Sequence, residues 1–66
     1  MDERMKRLEK QLLLIRRALG WSATLLGEKL GVSRQTINNI ESGRTRLSKT
    51  EYLLLRRVLD DEMNQS

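Results

Sequence analysis

The stretch SATLLGEKLGVSRQTINNIESG, residues Ser22 to Gly43, decides how this chain folds. Ser22 and Ser33 each stand directly ahead of a short segment whose apolar residues keep helical spacing. A serine hydroxyl accepts from the free amides of a first helical turn, so each reads as an N-cap, and the spacing predicts helices over 23–30 and 33–41. Only Gly31 and Val32 lie between them, so the chain must turn sharply there. Gly31 takes the positive φ of such a turn without a Cβ penalty. Leu26, Leu30, Val32, Ile37 and Ile40 give the pair an apolar inner face, and Gly27 supplies a small contact at about 1 kcal/mol of helix propensity relative to Ala. With these side chains turned inward, Arg34, Gln35, Asn38 and, at the margin, Asn39 remain outside, where their donors and acceptors suit the edges of bases.

Working towards the N-terminus, Met5, Leu8, Leu12, Ile15 and Leu19 fall at steps of three and four, which predicts a helix over 3–19 stopped by Gly20. Leu12, Ile15 and Leu19 are expected in the core. Trp21 precedes an N-cap, where apolar residues commonly pack on the following helix; the alternative is stacking on a base. Towards the C-terminus, Ser42 and Gly43 close the second helix of the motif, and Arg44, Thr45, Arg46 and Leu47 form a basic loop. Ser48-Lys49-Thr50-Glu51 matches a capping box, which predicts a fourth helix over 49–62 with Tyr52, Leu54, Leu55, Val58, Leu59 and Met63 on one stripe. The tail from Asn64 to Ser66 is expected to fray. Met5, Leu8, Leu55, Leu59 and Met63 have two open readings, core or the seam of a homodimer. The fold class is therefore all-α, a four-helix domain over residues 1–66.

Composition narrows the chemistry. Sixty-six residues hold one domain at most, and the chain has no Cys and no His. A metal site, a cofactor and nucleophilic catalysis are therefore not expected: Glu28, Glu41, Glu51 and Asp60 suggest no paired acid and base. The apolar runs at Leu12 to Ile15 and Leu53 to Leu55 are far below the roughly 20 residues of a membrane span, and no signal peptide is visible, so a cytoplasmic protein is expected. The net charge of +4 is uneven: residues 1–21 and 22–50 each carry +3, and residues 51–66 carry −2. A basic face of this kind suits phosphates, and equally serves solubility.

The run from Ile15-Arg16 through Gly20-Trp21-Ser22 and Leu26 to Gly43 resembles the Cro and phage-repressor type of helix-turn-helix, the xenobiotic-response-element family of bacterial and phage regulators. The resemblance covers roughly residues 12–58. It implies a lambda-repressor-like domain whose 33–41 helix enters the major groove of double-stranded DNA, with Arg34, Gln35 and Asn38 on base edges and Thr36 and Asn39 near the backbone or a base. It implies an ion pair between Arg16 and Glu41. Arg44, Thr45, Arg46 and Lys49 are expected on phosphates, as are Ser22 and Ser33, although capping alone explains both serines. The implied function is a transcriptional repressor acting as a homodimer on a palindromic operator; the alternative is a protein-interaction module or antitoxin-like regulator holding a partner through helices 1 and 4. The chain departs from the family at Ala23, where a phosphate-touching Gln is common, and at Gly27, more often Ala, which reads as a looser motif. Many relatives add a fifth helix; here Met5, Leu8 and the end of helix 4 are expected to cover that part of the core.

Overall fold

Among the described residues, three of the four helices begin with the same device. In α2 (Ala23–Leu30), α3 (Arg34–Glu41) and α4 (Lys49–Met63), the preceding serine is extended and its hydroxyl accepts from the amide three residues on: Ser22 from Leu25, Ser33 from Thr36, Ser48 from Glu51. Each binds one of the four amides that a helix start leaves without a partner. At α4 the Glu51 carboxylate also returns to the Ser48 amide at 2.9 Å, completing the capping box. Helix α1 (Glu3–Ala18) starts instead at Asp2, whose carboxylate accepts from the Arg4 amide at 2.7 Å. This computed structural model describes residues 2–64, and they contain no strand. Helix α1 ends at Ala18, one residue inside the expected end, with Leu19 as its cap, and α4 runs to Met63, one residue beyond its expected end. Asn64 caps α4, while Gln65 and Ser66 of the expected frayed tail lie outside the described residues.

The turn between α2 and α3 rests on two glycines in different ways. Gly31 has φ +72°, the left-handed conformation that ends α2. The Val32 amide then donates back to the Gly27 carbonyl at 2.8 Å. A Cβ on Gly27 would lie 2.6 Å from the Val32 carbonyl oxygen, so the two backbones meet at a distance that only glycine permits. The expectation of a looser motif at this position is thus corrected: the glycine makes the turn tighter.

Leu12, Leu26, Leu30, Ile37, Ile40, Leu47 and Leu55 form the buried core, drawn from all four helices and the loop before α4. Full burial of one such side chain contributes about 1.5–3 kcal/mol, so these residues supply most of what holds a chain this short together. Trp21, Val32, Tyr52, Val58 and Leu59 pack against them from the edges. Two expectations change here. Leu47, read as part of a basic loop, is 1% exposed and fully in the core. Ile15 and Leu19 are only half-buried, because together with Leu59 and Met63 they border an open apolar cleft between α1 and α4.

Candidate nucleic-acid interface

Helix α3 turns Ile37 and Ile40 inward, at 0% and 2% exposure, and this fixes the direction of everything else on it. Arg34, Gln35 and Asn38 are exposed, and Thr36 and Asn39 are half-buried at the edges of the outward face. The Gln35 amide donates to the Asn39 side-chain oxygen at 3.1 Å, one turn along, so these two side chains form one polar unit. The Thr36 and Ser33 hydroxyls lie 3.1 Å apart, which holds Thr36 against the helix start.

The basic loop is fastened at both ends. Near α3, the Asn39 carbonyl accepts from the Arg44 amide at 2.9 Å, the Thr45 amide at 3.2 Å and the Ser42 hydroxyl at 3.2 Å. Near α4, Leu47 is buried and its amide donates to the Glu9 carboxylate at 2.7 Å, across from the middle of α1. Arg44, Thr45 and Arg46 lie exposed between these tethers, with Lys49 exposed on the first turn of α4. Among the described residues only Arg4 and Arg16 have a carboxylate within ion-pair distance, so Arg34, Arg44, Arg46 and Lys49 present uncompensated charge. Nothing in the sequence marks Glu9 or the Asn39 carbonyl for these bonds. Leu47 had a signal, since an apolar residue before an N-cap often packs back on its helix.

Arg16 ties α1 to the end of α3. Its Nε donates to Glu41 Oε2 at 2.7 Å and its Nη2 to Oε1 at 3.2 Å, a two-point contact, while Nη1 donates to the Trp21 carbonyl at 3.0 Å. The side chains are 14% and 8% exposed. The hydrogen bond to Glu41 raises the Arg16 pKa above its ordinary value against the opposing effect of burial, and the carboxylate charge adds to the rise. The one carboxylate of α3 is thereby neutralised, leaving its outward face without negative charge. Trp21 is half-buried on the core with Lys29 Nζ 4.8 Å from its ring centroid, which occupies the ring with a cation. Ser22 and Ser33 are exposed, and both hydroxyls accept from capped amides.

Two short helices meeting across a glycine turn, the second showing a polar cationic face beside a basic loop, define a helix-turn-helix DNA-binding domain. The Helix-turn-helix family matches residues 12–60, nearly three-quarters of the chain. The chain belongs to that family, of the xenobiotic-response-element, Cro- and repressor-like type, and its four helices form a lambda-repressor-like DNA-binding domain of a regulator. This is a DNA-binding regulatory family, and its members are not typically enzymes. No helix among the described residues is long and apolar enough to cross a membrane. No curated protein and no solved structure matches the chain.

Proposed function

We propose that this protein is a sequence-specific transcriptional repressor that binds double-stranded DNA as a homodimer, one α3 in the major groove of each half of a palindromic operator. The observation that carries the reading is the outward face of α3, with Arg34, Gln35 and Asn38 exposed beside the doubly tethered Arg44–Lys49 segment. Arg34 donates two hydrogen bonds to guanine O6 and N7. Gln35 pairs with adenine: one Nε2 hydrogen goes to Asn39, which leaves the other for N7 and the free carbonyl oxygen for the N6 amino group. Asn38 reads the neighbouring base, Asn39 aligns Gln35 from the groove edge, and Thr36 sits towards the backbone.

Arg44, Thr45, Arg46 and Lys49 hold phosphates and fix the register of α3 without reading sequence. Ser22 and Ser33 bring helix N-termini to the same backbone, where free amides favour an anion. Ala23 has no side chain for the phosphate contact that a Gln makes in relatives, so register depends more heavily on the loop. Repression follows from occupancy, since a bound dimer excludes other proteins from its site.

Selection of bound duplexes from a random pool at a stated salt concentration tests the reading. The expected product is an inverted repeat with half-sites about 34–36 Å apart, one turn of the double helix. A pool that stays random after repeated rounds counts against it.

A further inference from the structure

Helices α1 and α4 lie side by side and run the same way. Leu8 shares a cleft with Tyr52, and Ile15, two turns further on, shares a second with Leu59, also two turns further on. The two clefts share no lining residue and lie one after the other along the groove between α1 and α4. Arg4, Leu8, Gln11, Ile15 and Ala18 form a single stripe along α1, Tyr52, Arg56, Leu59 and Met63 a single stripe along α4, and buried Leu12 and Leu55 lie beneath. From Arg4 to Leu19 the groove is about 22 Å long, at the rise of an α-helix.

The two ends of this groove differ in charge. The first is lined by Arg4, Arg7 and Arg56 around Leu8, Gln11 and Tyr52. The second is lined by Ile15, Ala18, Leu19, Leu59 and Met63, with Glu62 its one charged group. Arg16, nearby in sequence, is already spent on Glu41. The helix dipoles add to the asymmetry, because both N-termini lie at the arginine end and both C-termini at the Glu62 end. Met63 stands 77% exposed at that second end. A groove with opposite charge at its two ends complements itself when a second copy is laid across it antiparallel, the same surface on both copies, which is the geometry of a two-fold interface.

We propose that the α1–α4 groove is where two copies of this chain meet, antiparallel, with the Arg4, Arg7 and Arg56 end of each over the Leu59, Glu62 and Met63 end of the other. The inference rests on the dimer of the preceding section and names its surface. Met63 of one copy enters the apolar floor beside Leu8 and Tyr52 of the other, and Glu62 faces Arg56. The DNA-facing side of α3 takes no part in it.

Sedimentation equilibrium without DNA tests the interface on the whole chain, with circular dichroism to establish that each variant keeps its helices. Met63→Glu, at an exposed site, is expected to weaken self-association at least about tenfold. Arg56→Glu and Glu62→Arg are each expected to weaken it about fivefold or more, and the double reversal to associate more tightly than either single, since the attraction is rebuilt with its signs exchanged. A wild-type monomer at millimolar concentration overturns the proposal. So do single reversals without effect, or a double variant weaker than both singles. Binding to a half-site duplex at low protein concentration separates this from the DNA reading: a monomer that still prefers particular duplexes removes the interface and leaves the function, while normal pairing without duplex preference does the opposite.

Discussion

At Gly27, the methyl group of an alanine would lie 2.6 Å from the Val32 carbonyl oxygen and 3.2 Å from the Ser33 carbonyl carbon. Both neighbours are backbone, and the Val32 amide is already bonded to Gly27, so neither can retreat without opening the turn. Alanine gains about 1 kcal/mol in helix propensity and loses more to overpacking, typically about 1–3 kcal/mol. Gly27→Ala is therefore expected to lower the thermal midpoint by several degrees, as calorimetry would show; a raised midpoint would contradict the close approach. Glu41 is a second such residue. Its removal leaves the Arg16 guanidinium mostly buried with only the Trp21 carbonyl as partner. Glu41→Ala should cost about 2–4 kcal/mol in urea titration, and Glu41→Gln less, because an amide keeps part of the hydrogen bonding. Because the Arg16 pKa is raised, its contribution is complete below the ordinary guanidinium range and fades only as pH rises through the folded value, so neutral pH leaves it constant.

Helices α2, α3 and α4 begin alike. Trp21-Ser22 leads to Leu26, Val32-Ser33 to Ile37 and Leu47-Ser48 to Tyr52: an apolar residue, a serine cap, then an apolar residue on the fourth helical position. This pattern made the helix starts legible in the sequence, because capping and apolar spacing act within one turn. What stayed hidden depends on contacts between distant parts of the chain. Glu9 and Leu47 are 38 residues apart, and nothing near either marks the bond. Arg16 and Glu41, 25 residues apart, came into view only through the family resemblance. The half-exposure of Ile15 and Leu19 was also hidden, since spacing tells which face a residue occupies and not what covers it. Of the outward face of α3, residue types and position were legible; the Gln35–Asn39 bond and the tethers of the loop were not. Glu9→Ala should speed hydrogen exchange at the Leu47 amide at least about tenfold and cost about 1–3 kcal/mol for the buried donor left without a partner, with Glu9→Gln in between. Unchanged exchange at Leu47 would show the loop to be held by packing alone.

Across the whole molecule charge is unevenly placed. Among the cations without an ion-pair partner, Arg34, Arg44, Arg46 and Lys49 belong to α3, the loop that follows it and the first turn of α4, Lys6, Arg7, Lys10 and Arg17 lie on α1, and the acidic residues Asp60, Asp61 and Glu62 are gathered at the end of α4. If Arg44, Arg46 and Lys49 hold phosphates in both copies of the proposed dimer, about six cations release counterions, and the expected slope is about −5 in log K against log salt. In the proposed complex Arg34 reads a base while Arg46 holds a phosphate, and comparing Arg34→Ala with Arg46→Ala on the selected duplex and its single-base variants over a salt series separates the two roles. Arg34→Ala is predicted to lose about 1–3 kcal/mol on the selected sequence and its preference at one base pair. Arg46→Ala is predicted to weaken all duplexes about equally and to flatten the slope by about 1 per copy. If the two variants lose affinity in the same way, with every base preference intact in both, α3 does not read the groove.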